Sequence, residues 1–457
     1  MAAETIRLQI SIPKYVELLV PAWFFFAFFT GIKLLPQLAT NVGLFEVIGL
    51  LITTGFFASG AQGLGLARHP LVFLTTLMSA AALISQLQVP SHLRRQGLIQ
   101  LIILLFLLAF LVLFSALINK YHVPPAWLLG IVVVCVLVSG IIVVVSGVGA
   151  TAGSVAGPFR NRAHMASYML TAFWICLIAL FWPGLKTWLR YTSLCSLILA
   201  LYSVAISGRR SVYLSLFLGL GGLVAALLVA QKGKRIRWLM GVGVAIGFLV
   251  GFYVAGDRLT GQTAFFHERV GLIDDRLRSF LGDEGTATED SFFALQREGV
   301  RSAVRASPIL GIGWGGFPKS RYSPTGHEVH STPLRFLAEL GILGFSLYVC
   351  FMGFLLIRSA KLFLLMRASP YGNSYLVLAL ALWSMSVSYI YNRHMTERTF
   401  WIFLAIFLAM ETFAADWHTL MARFASQRAE RNKVATAGVR TTFGPRVKSL
   451  PQAGRFR

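Results

Sequence analysis

The sequence predicts an all-α polytopic membrane protein of about 12 transmembrane helices, with one large helical loop on the external side before the tenth span. Three observations predict it. Apolar residues make up 56% of the 457 residues, and mean hydropathy is +0.70. Charged residues are only 13%, about half the soluble average. The apolar residues gather in runs close to the ~20 residues that carry a helix across a hydrocarbon core. Such runs are too long and too uniform for barrel strands.

Taken in order, the first six runs are Leu18–Leu35, Leu44–Ala61, Leu71–Leu87, Leu98–Ile118, Ala126–Val145 and Met165–Trp182. The next three are Leu189–Ile206, Val212–Ala230 and Ile236–Val254. The last three are Thr332–Ile357, Tyr375–Tyr391 and Thr399–Phe413. No small-residue cleavage site follows the first run, so it is expected to stay as a span. The chain then divides into a nine-span bundle (1–255), an external cap (256–331), a three-span bundle (332–415) and a basic, disordered tail (416–457).

A net charge of +23 would suit a nucleic-acid binder. The placement of the charge excludes that reading, because the basic residues sit in short loops and in the tail, as in membrane proteins. From Arg423 onward the tail carries Arg423, Arg428, Arg431, Lys433, Arg440, Arg446, Lys448, Arg455 and Arg457 against Glu430. It is expected in the cytoplasm beside anionic lipid, and an even span count puts the N-terminus there too. Arg160, Arg162, Arg209, Arg210, Arg393 and Arg398 then fall on the opposite side, against the positive-inside bias. Either they bind an anion or they contact lipid phosphate; a topology shifted by one span would also explain them.

The long interruption, Gly256 to Val329, holds more than half of the chain's acidic residues, and loops of that length are usually functional. Asp290 or Ser291 is expected to cap a helix that runs to about Ala306, with Pro308 beyond it. Arg297, Arg301 and Arg305 then share one face. After the loop, His330 stands at the water-facing mouth of the tenth span, where a titratable group is a candidate for chemistry.

Other motifs are weaker. Gly311-Ile312-Gly313-Trp314-Gly315-Gly316 fits GxGxxG, but no strand precedes it and Pro318 follows, so a glycine-rich turn re-entering towards the membrane is expected instead of a nucleotide site. His327, Glu328 and His330 lack metal-ligand spacing. His164 and His394 are lone histidines. Cys135, Cys176, Cys195 and Cys350 lie in apolar runs with no CxxC pair, as small core residues. Neither a cofactor nor a metal is implied.

Four segments together resemble the O-antigen ligase and polymerase superfamily of bacterial envelope glycosyltransferases. They are the polar GPFRNRAHMASYM before the sixth span, SGRRS between the seventh and eighth, SPILGIGWGGF, and HSTPLRFLAELGILG after the cap. Their order and spacing agree from about Val155 to Phe413. The resemblance implies metal-independent, inverting glycosyl transfer at the periplasmic face of the bacterial inner membrane. The donor would be a glycan on undecaprenyl pyrophosphate. The acceptor would be a sugar hydroxyl on lipid A-core in a ligase, or on a growing carrier-linked glycan in a polymerase. His330 matches the family's catalytic histidine. Arg209 or Arg210 matches its pyrophosphate-binding arginine. Ser331 stands where the family has asparagine, and Phe293 where it often has arginine, so Arg297 or Arg301 is expected to substitute. Arg160 and Arg162 complete the expected substrate-binding set. A transporter of lipid-linked sugars is the reading from a different class.

Overall fold

A computed structural model describes residues 69–147, 162–207, 210–230, 287–323, 326, 328–391 and 398–442, with Val20, Ala22, Trp23 and Ile48. The expected spans Leu18–Leu35 and Leu44–Ala61, apart from those four residues, lie outside the described residues. So do Ile236–Val254 and residues 256–286 of the cap.

Ten α-helices fall among the described residues, and no strand does. They are α1 (Pro70–Ser85), α2 (Arg94–Tyr121), α3 (Pro125–Gly147), α4 (Arg162–Phe181), α5 (Thr187–Ser207), α6 (Arg210–Ala230), α7 (Ala287–Ala306), α8 (Thr332–Met366), α9 (Gly372–Tyr391) and α10 (Arg398–Thr442). Seven of these, α1 to α4 and α8 to α10, are long and apolar enough to cross a membrane. Helices α5 and α6 cover the seventh and eighth expected spans. Helix α7 falls in the segment expected as the cap and is amphipathic: Val300 and Ala303 are buried while Arg297, Arg301 and Arg305 are exposed.

Polar contacts fix how the helices stand. Ser215 donates to the Ser384 carbonyl at 2.6 Å, pairing the first half of α6 with the second half of α9. The Ser374 hydroxyl reaches the Ile178 carbonyl, and Tyr375 donates to the Met410 carbonyl at 2.6 Å. At that end of the bundle the Glu411 carboxylate meets Arg358 Nε at 2.6 Å and His69 Nε2 at 3.2 Å. His122 pairs with Asp416 at 3.0 Å nearby on α10. Trp182, Tyr371, Phe413 and Trp417 pack there in tilted and edge-to-face pairs, in the manner of an interfacial aromatic belt. The opposite end collects the starts of α2, α4, α6, α8 and α10.

Residues 165–179 of α4 and 399–410 of α10 are buried on every face, so these helices form the middle of the bundle. Phe73, Ile102, Phe217 and Trp383 are exposed apolar side chains on the outer helices, as a lipid-facing surface requires. Small residues allow close approach inside: a Cβ on Gly219 would lie 2.2 Å from the Trp174 ring and 2.8 Å from Ser384 Cβ.

Four expectations need correction. The cap helix starts at Ala287, so Asp290 and Ser291 lie within its first turns instead of capping it. The last helix does not end near Phe413 but continues to Thr442, so residues 416–442 are helical. The tenth span is interrupted: Gly341 has φ 63° and ψ −162° in the middle of α8. Cys135 and Cys176 are buried, but Cys195 and Cys350 are exposed.

Candidate active site

The break in α8 organises the site. A helix interrupted inside a bundle strands carbonyls on one side of the gap and amides on the other. Residues 307–313 satisfy both. The amides of Ile312 and Gly313 donate to the Ala338 and Glu339 carbonyls at 3.0 Å each. The amides of Ile342 and Leu343 donate to the Pro308 and Ile309 carbonyls at 2.8 and 3.4 Å. The glycine-rich turn is therefore a wedge set into the tenth span. Its backbone approaches so closely that a Cβ on Gly311 would lie 2.3 Å from the Glu339 carbonyl carbon, and Gly311 has φ +67°. Only glycine meets both conditions without strain.

The wedge also anchors the neighbouring helices. Trp314 N donates to Ser85 Oγ at the end of α1, and the Trp314 carbonyl accepts from Gln86 Nε2, both at 3.0 Å. Gly315 packs beside Gly97 and Gln100 in the first turns of α2.

A buried charged pair sits behind the wedge. Arg335 is 3% exposed and Glu339 0%. Arg335 Nε donates to Glu339 Oε2 at 3.0 Å, and Gly315 N donates to the same oxygen at 2.9 Å. The guanidinium lies 4.4 Å from the centre of the Trp314 ring, within cation–π range. Its Nη1 is 3.8 Å from Glu328 Oε2.

His330 is half-buried at the mouth of α8, one residue before Ser331, whose hydroxyl caps the helix by accepting from Leu334 N at 3.5 Å. Its backbone N–H reaches Gln296 Oε1 on α7 at 3.4 Å, while Gln296 Nε2 donates to the Glu328 carbonyl at 3.0 Å. One buried glutamine thus fastens the segment that carries His330 to the cap helix.

The other expected site residues fare unequally. Arg297 and Arg301 are exposed on α7, and Arg301 is engaged with Glu298 at 3.1 Å. Arg160, Arg209 and His327 lie outside the described residues, as do the side chains of Arg162 and Arg210. The backbone places Arg162 and Arg210 as the first residues of α4 and α6, at the same end of the bundle as His330. Among the described residues no cluster of His, Cys, Asp and Glu has the makings of a metal site.

Sequence reasoning passed over Gln296, Arg335 and Glu339 as site residues. A signal was present for two of them: an Arg and a Glu four residues apart, inside an otherwise apolar run, are expensive to bury unless paired. It also passed over Arg94 and Arg95, exposed at the start of α2 within a turn of Gly97.

The fold and this polar end define a multi-pass helical membrane protein with an ionisable site where a span meets the cap. Residues 195–349, about a third of the chain, match the family model described as O-antigen ligase. The match is one of similarity to that family over those residues. It spans the later part of α5, α6, α7, the wedge and the first half of α8. A search of curated proteins finds no match.

Proposed function

We propose that the protein transfers a glycan from undecaprenyl pyrophosphate to a sugar hydroxyl on lipid A-core, at the periplasmic face of the inner membrane, with inversion and without a metal. The observation that carries this reading is the placement of His330. It is a half-buried imidazole at a helix mouth, at the end of the bundle where α4 and α6 begin with arginine.

Neutral imidazole is a general base poised near physiological pH. In the reading, His330 takes the proton of the acceptor hydroxyl as its oxygen attacks the anomeric carbon. The bond from that carbon to the phosphate oxygen breaks, and the electron pair leaves with the diphosphate. That leaving group needs fixed cations more than a proton, and guanidinium matches its oxygens in pairs. Arg210 or Arg209 and Arg162 or Arg160 supply them from the helix starts. Arg297 is favoured over Arg301 as the cap's contribution, because Arg301 is already paired with Glu298 and Arg297 adjoins the Gln296 that holds the His330 backbone.

An interrupted helix is also a transporter feature. In transporters the half-helix ends face the substrate, whereas here the wedge backbone bonds the amides and carbonyls flanking the break. That observation favours the enzyme.

Reconstitution tests the reading. Liposomes holding the protein and a carrier-linked glycan are given lipid A-core or left without it, in EDTA. Glycan on the core is the expected product. Longer glycan on the carrier assigns a polymerase instead. Movement of donor across the bilayer with no new glycosidic bond would contradict the enzyme reading altogether.

A further inference from the structure

The buried Arg335 has no place in proton transfer or phosphate binding as proposed, yet it contacts Trp314 of the wedge, Glu339 of its own half-helix and Glu328, two residues before His330. We propose that Arg335 is a positioning residue, which locks the segment carrying His330 against the glycine-rich wedge in the geometry that transfer requires. This inference rests on the reading of His330 as the base.

The break at Gly341 is the starting point. It leaves Thr332–Leu340 as a half-helix of nine residues. So short a helix has little stability of its own, so its orientation is set by what it is fastened to. Arg335 supplies three fastenings from one planar group. Its face lies on Trp314 of the wedge, its Nε bonds Glu339 one turn along, and its Nη1 side faces Glu328, two residues before His330. Glu339 closes the ring by accepting from Gly315 N. Glu328 is itself tied through its carbonyl to Gln296, the residue that also accepts from the His330 amide. The wedge, the half-helix and the segment carrying His330 are thereby held in one register.

Stability alone is a poor explanation for such a pair. A buried ion pair is often no more stabilising than apolar residues of the same volume, because desolvation offsets the attraction. What the pair adds is direction. A guanidinium fork donates to its partners in one plane, which neither lysine nor a methylene chain does.

The test uses the full chain in liposomes. Arg335→Met with Glu339→Gln removes both charges together, and the amide oxygen of Gln still accepts from Gly315 N. Arg335→Lys keeps the charge and loses the fork. Two readouts are taken: kcat and KM for transfer, and the rate at which diethylpyrocarbonate modifies His330, read by peptide mass spectrometry. The double variant is expected to melt within a few degrees of wild type while kcat falls about 100-fold, KM stays within about twofold, and His330 is modified severalfold faster. Arg335→Lys is expected to lose about tenfold in kcat, again without a change in KM, and it decides the matter if the double variant does not fold. Unchanged kcat with unchanged His330 modification overturns the proposal. So does a lower melting temperature with kcat preserved, which would make Arg335 a stabilising residue only. If wild type itself forms no glycosidic bond, the function reading fails, and the modification rate alone still tests the register.

Discussion

Glycine at position 341 lets α8 stop and restart. A Cβ there would lie 2.3 Å from the Ile309 carbonyl oxygen, with the backbone at φ +63°. Gly341→Ala is therefore expected to destabilise the protein by about 2–4 kcal/mol, read as thermal unfolding in detergent. The partner prediction concerns charge. Glu339→Ala strands the buried Arg335 guanidinium and is expected to lose roughly 3–5 kcal/mol; Glu339→Gln, which keeps an acceptor, is expected to lose less. Sequence legibility at this scale was uneven. His330 stood out because a titratable group beside a span is rare. The role of Gly341 did not, because its requirement comes from Ile309, thirty-two positions earlier in the chain, and nothing local announces that approach.

At the scale of elements, apolar length carried most of the information. Helices stand at each expected span from Leu71–Leu87 to Val212–Ala230 and at the last three, since lipid forces backbone hydrogen bonds inside each segment. The interruption of α8 was not legible, because Thr332–Ile357 reads as one run whose only charges are Arg335 and Glu339, and the segment that fills the break is the distant glycine-rich wedge. The end of α10 was missed for a different reason. Apolarity fades after Phe413, but helix propensity in Met421-Ala422-Arg423-Phe424-Ala425 does not. Packing between elements gives a clean prediction. Gly219→Leu drives a side chain into Trp174 and Ser384, and is expected to lose roughly 1–3 kcal/mol. Gly221→Leu meets nothing within 4 Å and is expected to stay within about 0.5 kcal/mol. Equal melting of the two variants would mean that α6 does not sit against α4 and α9 as described.

For the whole molecule, orientation decides where chemistry happens. Lys186, Arg358, Lys361, Arg367, Arg423 and Arg428 lie towards the Glu411 end, which the positive-inside bias assigns to the cytoplasm. The proposed reaction requires the His330 end to face the periplasm. Cysteines placed at the exposed positions Lys319 and Lys361 test it, with the exposed Cys195 and Cys350 replaced by alanine. An impermeant maleimide is expected to label Lys319→Cys in spheroplasts, and Lys361→Cys only after lysis. The reverse pattern would turn the site inward and remove it from any periplasmic reaction.

The most direct measurement follows glycan transfer from undecaprenyl pyrophosphate by His330→Ala in liposomes, beside donor binding to the same preparation. Transfer is expected to fall by about 10²–10⁴-fold while the donor binds as tightly as to wild type. Turnover at the wild-type rate would show that the imidazole takes no proton from the acceptor.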